Sequence, residues 1–126
     1  MNAGDLVIAE YKSGIYIGEL LSADGPKAKV RVLAVKKHPS QGDLHHPMQT
    51  DVEMFHQRRA LAWREVANVL LRSLAPYEGK EPPDYTESLR KALNAEMEAL
   101  KTLETPYAER CLAELAELEK DYFARS

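Results

Sequence analysis

The chain has 126 residues, of which 44% are hydrophobic and 29% charged, so it is a folded protein with one modest core rather than a disordered one. Residues 1–79 hold 10 basic and 9 acidic side chains, whereas residues 80–126 hold 7 and 11, which places the acidic excess in the C-terminal part. The net charge of −3 argues against a nucleic-acid-binding domain, because phosphate neutralisation usually requires a strongly basic one.

The first 35 residues show the short β-branched and aromatic runs that are typical of strands. We expect strands near residues 6–11, 15–21 and 27–35, with turns between them. Gly18 permits a bulge in the second strand. In the third strand basic side chains alternate with apolar ones, which predicts one buried and one solvated face.

Residues 38–51 contain two prolines, a glycine and three of the four histidines, so a long polar loop is predicted there. Between residues 55 and 74 the apolar spacing fits either a strand or a helix. We favour a strand over 60–66, with Trp63 in the core because it alternates with Leu61, and a short return over 68–71.

The C-terminal part has the pattern of two helices after a linker at residues 80–83. Asp84 and Glu87 form a capping-box pair, and an apolar stripe with helical spacing follows them. Thr105 and Pro106 begin a second amphipathic helix. Because the break between them is short, the helices should pack antiparallel.

The single cysteine, Cys111, cannot form an internal disulfide, and its apolar helical neighbours predict a buried, unreactive thiol. The N-terminal dozen residues carry several charges and no long apolar run, so we expect neither a signal peptide nor a membrane span. No cysteine lies there to accept a lipid. These features predict a cytoplasmic protein that meets a membrane only through a partner.

Several segments resemble a known family. The opening of the chain, residues 4–19, is similar to SH3-like barrels of the Tudor and KOW kind. More specifically, the chain resembles the kinase-associated protein B family in the segments VKKHPSQGDLH (35–45), DV (51–52), FHQRRALA (55–62), PYEG (76–79) and ELEKDYF (117–123). We therefore expect an α+β fold in which an SH3-like antiparallel β-barrel over residues 1–79 and a helical hairpin over 80–126 pack as one folded unit.

The resemblance implies a function without catalytic residues or cofactors. It implies an accessory factor of the sporulation phosphorelay, which modulates a sensor histidine kinase through protein–protein contact. Family members have been described as lipoproteins, but this chain has no N-terminal apolar segment and cysteine for that modification. Association of identical chains stays open at this point.

The predicted protein-recognition surface is the long loop together with the arginine pair that follows it. Its assigned partner-binding residues are His38, Gln41, Asp43, His45, Arg58 and Arg59. Loops of this length often carry function, and arginine offers planar donors that suit the carboxylates of an acidic partner.

Two other classes of function compete with the adaptor hypothesis. A nucleic-acid-binding SH3-like module would use Lys36, Lys37, Arg58 and Arg59 beside aromatic side chains, but the acidic balance disfavours it. A metal-dependent hydrolase would use the histidines with Asp43 and Asp51. Their spacing matches no metal-binding motif and Ser40 lacks a nucleophile-elbow context, so we expect no metal and no catalysis.

Overall fold

The structure is a computed structural model that describes residues 1–42 and 55–124. In chain order its elements are β1 (Leu6–Tyr11), β2 (Gly14–Asp24), β3 (Lys27–Lys37), β4 (Val66–Leu70), a 3-10 turn (Leu71–Ser73), β5 (Leu74–Pro76), α1 (Tyr85–Lys101) and α2 (Pro106–Tyr122). The predicted α+β class, with an antiparallel sheet followed by two helices, is confirmed.

The five strands form one antiparallel sheet in the order β4-β3-β2-β1-β5. The sheet curls, because Val7 and Ala9 of β1 share a buried cluster with Ala67 and Val69 of β4. Within residues 1–42 and 55–124, however, no hydrogen-bonded ladder joins the edge strands β4 and β5. The closed barrel that the sequence predicts is therefore corrected to a curled open sheet, and its SH3-like character stays a prediction.

The first three strands confirm the local sequence signals. Lys12 and Ser13 form a two-residue hairpin with φ of 46° and 68°, the left-handed conformation that such tight turns require. Gly18 lies at a register shift between β2 and β3, where a Cβ atom would lie 2.5 Å from the Arg31 carbonyl oxygen. In β3 the alternating apolar positions from Ala28 to Ala34 are buried, including Val30 and Val32 at 1% exposure.

The predicted strand over residues 60–66 is wrong. Residues 55–65 contain no strand, and β4 begins only at Val66, close to the predicted short return. Trp63 lies in a turn with 59% of its surface exposed, so its predicted place in the core is also wrong. Side chains rather than a neighbouring strand bond to the backbone at residues 58, 60, 61 and 62, and the sequence pattern of apolar residues does not record those bonds.

Both helices begin as their capping residues predict. Asp84 accepts a hydrogen bond from the Glu87 amide, and Thr105 accepts one from the Ala108 amide. The helices are antiparallel. The guanidinium carbon of Arg90, near the start of α1, lies 3.9 Å from the ring centroid of Phe123, which comes just after α2. Their facing stripes form a buried cluster of Leu93, Leu100, Ala108, Cys111, Leu115 and Leu118.

The N-terminal half of α1 covers part of the sheet. Leu89 and Ala92 of α1 share a buried cluster with Tyr16, Val32 and Val35 of the strands. Sheet and hairpin thus bury apolar surface against each other, which neither could do alone.

The only cysteine of the chain lies inside the helical hairpin. Cys111 is 1% exposed, which confirms the predicted buried thiol. Burial raises the pKa of this thiol, so its reactive thiolate form is disfavoured.

Candidate interaction surface

Residues 55–65, which we call the strap, lead to β4 without joining the sheet as a strand. Only the far end of the strap bonds to β3, where the Arg64 amide donates to the Val32 carbonyl and the Val32 amide donates to the Glu65 carbonyl. Backbone groups in such a segment need other partners when water is excluded. Side chains from the loop, the sheet and both helices supply them.

Gln41 holds the first part of the strap. Its side-chain oxygen accepts from the Arg58 amide at 2.9 Å, and its nitrogen donates to the Arg58 carbonyl at 2.8 Å. The same nitrogen donates to the Pro39 carbonyl at 3.1 Å. Gln41 is 3% exposed, so its side-chain amide acts as a buried clamp on the backbone of Arg58.

His38 anchors the middle of the strap through Tyr122 at the end of α2. Its Nδ1 lies 2.9 Å from the Pro39 carbonyl and its Nε2 lies 2.9 Å from the Tyr122 hydroxyl. Because a carbonyl only accepts, the neutral ring carries its proton on Nδ1, and Nε2 accepts from Tyr122. The Tyr122 oxygen in turn accepts from the Ala60 amide at 2.8 Å.

This hydrogen-bond chain is fully buried at its histidine end, where His38 has 0% exposure. Burial lowers the pKa of His38, and the nearby positive charge of Lys37 lowers it further, while the bond to Pro39 opposes the shift. The neutral ring is also the form that the bond from Tyr122 requires. Geometry and protonation state therefore agree.

Two more tyrosines hold Leu61, the next residue of the strap. The Leu61 amide donates to the Tyr16 hydroxyl at 3.3 Å, and the Tyr85 hydroxyl donates to the Leu61 carbonyl at 2.6 Å. Burial raises the pKa of Tyr16 to about 12 and raises that of Tyr85 as well, so both hydroxyls stay protonated. The two residues come from β2 and α1, which ties the strap to both layers of the fold.

The strap presents its two arginines to solvent. Arg58 is half-buried, and its Nε donates to the Gly42 carbonyl at 3.3 Å. Arg59 is exposed, pairs with Asp121 and lies with its guanidinium carbon 5.1 Å from the ring centroid of Tyr122. Both side chains of the Arg59–Asp121 pair are more than half exposed, so water screens this contact and a competing carboxylate can replace it.

The arginines line one side of a groove of about 320 Å³. Its other walls include Tyr11 and Lys12 of the first hairpin, Pro39 of the loop and Glu65 of the strap. Three of its lining residues are basic and one is acidic, so the groove favours an anionic ligand group. We call this groove with Arg58 and Arg59 the arginine surface.

The six residues assigned to partner binding fall into three groups. Arg58 and Arg59 lie together at the arginine surface. His38 and Gln41 are buried beneath it, so a partner cannot touch their side chains, and the expectation of direct contact is corrected to a supporting role. Asp43 and His45 lie outside the described residues.

Sequence reasoning missed the tyrosines that fix the strap. Tyr16, Tyr85 and Tyr122 lie on three different elements, and each bonds to the backbone of residue 60 or 61. Only a weak signal was available, namely polar-tipped aromatic residues at positions where a helix or strand stripe predicts purely apolar ones.

Within residues 1–42 and 55–124 no group of three or more His, Cys, Asp or Glu side chains is placed to hold a metal ion. Four of the residues considered for a metal site lie outside those ranges, namely Asp43, His45, His46 and Asp51. In the same part of the chain, no helix is both long and apolar enough to cross a membrane.

Comparison with known proteins gives one consistent family. A family model described as kinase associated protein B matches residues 11–123. The kinase-associated lipoprotein B of Bacillus subtilis (strain 168) is 49% identical over 123 residues, which cover 97% of this chain and 94% of the relative. The crystal structure of kinase-associated protein B from Bacillus cereus is similar with a TM-score of 0.84 and 43% identity, over 97% of each chain.

Proposed function

The chain belongs to the kinase-associated protein B family, as its sequence predicted, and from this premise we propose that it is a non-catalytic adaptor that binds and modulates a sensor histidine kinase. The kinase partner is inferred from the names of the relatives, both of which are called kinase-associated. The place of that kinase in the sporulation phosphorelay is part of the same proposal. The adaptor would reach the membrane by binding the kinase or its complex.

The arginine surface is the binding site in this proposal. The observation that carries it is the set of buried hydrogen bonds that hold the backbone beneath the half-buried Arg58 and the exposed Arg59. Ordering a segment costs about 1–2 kcal/mol per residue of backbone entropy, and the bonds from Gln41 and Tyr122 meet that cost before a partner arrives. A pre-ordered pair of guanidinium groups can then bind carboxylates of an acidic partner segment in a bidentate manner.

The non-catalytic part of the proposal rests on the state of the polar residues near the groove. His38, the histidine whose pKa is shifted, is buried and uses both ring nitrogens in internal bonds. A general base or a phosphate-accepting histidine would have to reach a reacting group at the surface. His38 is a structural residue in this view.

The test is capture of partners from sporulating cells by the tagged full chain, read by mass spectrometry. We expect a sensor histidine kinase or a component of its complex, and we expect the double variant Arg58→Ala with Arg59→Ala to lose it. The variant should keep its stability within about 1 kcal/mol, since alanine keeps the Arg58 backbone groups that Gln41 holds and substitutions at the surface rarely exceed that.

The matched control is Lys101→Ala with Lys120→Ala, which removes the same charge from exposed positions on the two helices. It should capture the kinase normally. Equal loss in both variants would mean that net charge alone governs capture. Capture of other proteins without any kinase component would refute the kinase-adaptor proposal.

A further inference from the structure

A second surface stands out by its exposed apolar residues. Six large hydrophobic side chains are exposed among the described residues, and four of them lie between residues 63 and 71. These four are Trp63, Val66, Leu70 and Leu71. Concentration in one short stretch, rather than scatter over the surface, is typical of an interaction site.

Two of the four lie on β4, which is an edge strand of the sheet. Within residues 1–42 and 55–124, β4 pairs only with β3, so its other side offers backbone groups to an incoming strand. Natural edge strands are usually protected by lysine, proline or short length. The opposite edge, β5, is three residues long and ends in Pro76, whereas β4 has the sequence VANVL and no charged residue.

The positive charge lies one strand further in. On β3, Arg31, Lys29 and Lys27 are directly opposite Val66, Asn68 and Leu70 of β4. Arg31 is paired with Glu19, but no carboxylate of the described residues lies within salt-bridge distance of Lys27 or Lys29. The outer face of β4 therefore has an apolar edge beside a row of cations.

We propose that the β4 edge binds an extended segment of a partner protein with the pattern apolar-x-Glu-x-apolar. Strands in a sheet are about 4.8 Å apart, so an added strand would lie about 10 Å from β3. A glutamate opposite the short Asn68 can meet Lys29 across that gap, while the apolar residues on either side contact Val66 and Leu70. This surface is separate from the arginine surface and does not depend on the function proposed there.

Charge favours such a partner over a second copy of the chain. Antiparallel pairing of two β4 strands about Asn68 would set Val66 against Leu70 of the other copy, but it would leave Lys29 without a carboxylate, because the facing β3 strand about 14 Å away carries the same basic residues. A five-residue edge by itself also buries far less than the roughly 1,200 Å² of a stable interface. An acidic segment supplies a charge contact to Lys29 that a second copy does not.

The test uses the full chain and a capped heptapeptide, Thr-Val-Thr-Glu-Thr-Val-Thr, followed by NMR of the backbone amides. We expect saturable shifts centred on residues 66–70, and replacing the peptide's glutamate by lysine should weaken binding about fivefold to tenfold. The variant Lys29→Glu should bind the glutamate peptide more weakly by the same factor, and it should bind the lysine peptide as tightly as the unsubstituted chain binds the glutamate peptide. That exchange of preference is not expected from a merely structural role.

Val66→Lys with Leu70→Lys should abolish the shifts, whereas Leu103→Lys, at a residue as exposed as Val66, should not change them. Arg58→Ala with Arg59→Ala should also bind the peptide normally, which separates the two surfaces. The proposal is overturned if the peptide binds elsewhere or not at all, or if Lys29→Glu does not exchange the preference. Concentration-dependent dimers through β4, or tighter binding of an oligothymidylate to the same residues, would overturn it in favour of those occupants.

Discussion

Removal of a single oxygen atom tests how the strap is held. In Tyr122→Phe the aromatic ring keeps its contacts with Arg59 and Phe123, but the hydroxyl that joins Ala60 to His38 is lost. Both of those groups are buried, since Ala60 is 6% exposed and His38 is 0% exposed. The substitution therefore leaves one donor and one acceptor without a partner and without access to water.

The expected loss of stability follows from those two groups. An unsatisfied buried polar group costs about 1–3 kcal/mol, so the two groups left by Tyr122→Phe should lower the free energy of unfolding by about 2–6 kcal/mol. That is a large part of the free energy of unfolding of a typical domain, which is about 5–15 kcal/mol. Loss of apolar contact adds little, because the ring remains.

Urea unfolding followed by circular dichroism measures this difference. The matched control is Tyr77→Phe, whose hydroxyl donates to the Glu81 carbonyl in an exposed position where water can replace it. We expect that control to stay within about 0.5 kcal/mol of the unsubstituted chain. If Tyr122→Phe costs no more than Tyr77→Phe, the hydrogen-bond chain does not stabilise the fold and the account of the strap is refuted.

Two further predictions concern a buried base and a glycine. Because burial lowers the pKa of His38, the unfolded chain binds a proton more readily than the folded one, so stability should fall as the pH is lowered below about 6.5, by at most about 1.4 kcal/mol per pH unit. Urea unfolding between pH 7.5 and 5.5 measures this dependence. If the free energy of unfolding of His38→Gln depends on pH as steeply as that of the unsubstituted chain, the prediction is wrong. Gly18→Ala should cost about 1–3 kcal/mol, because its Cβ would meet the Arg31 carbonyl oxygen at 2.5 Å. Ser22→Ala at an exposed position of the same strand is the control for Gly18→Ala, and equal stability of the two variants would contradict the steric argument.

The elements that the sequence predicts correctly are those with local causes. Alternating apolar residues predict the strand β3. The capping pair of Asp84 and Glu87, followed by an apolar stripe with helical spacing, predicts α1. The glycine itself is the local signal for the bulge at residue 18, although the Arg31 carbonyl that excludes a side chain there lies on the neighbouring strand. Each of these signals involves residues within one or two turns of the chain.

The strap fails the same reasoning because its causes are distant in sequence. Ala60 bonds to a tyrosine 62 residues away, and Leu61 to one 45 residues away. Alternating apolar residues around Trp63 predict a strand only if a neighbouring strand is available to pair with it. Here tyrosine hydroxyls occupy the backbone groups instead, so the segment stays irregular and Trp63 turns to solvent.

The candidate site shows the same division between what is local and what is distant. Arg58 and Arg59 could be assigned to the surface because two adjacent guanidinium groups are too costly to bury without partners. His38 and Gln41 look equally polar in the sequence, yet the fold supplies both with buried bonding partners, Pro39 among them. A polar residue in a loop can thus serve a site in two ways, by touching the partner or by fixing the backbone that does. We expect the two roles to differ in what a substitution changes, since loss of an anchor should lower stability and binding together, whereas loss of a surface arginine should lower binding alone.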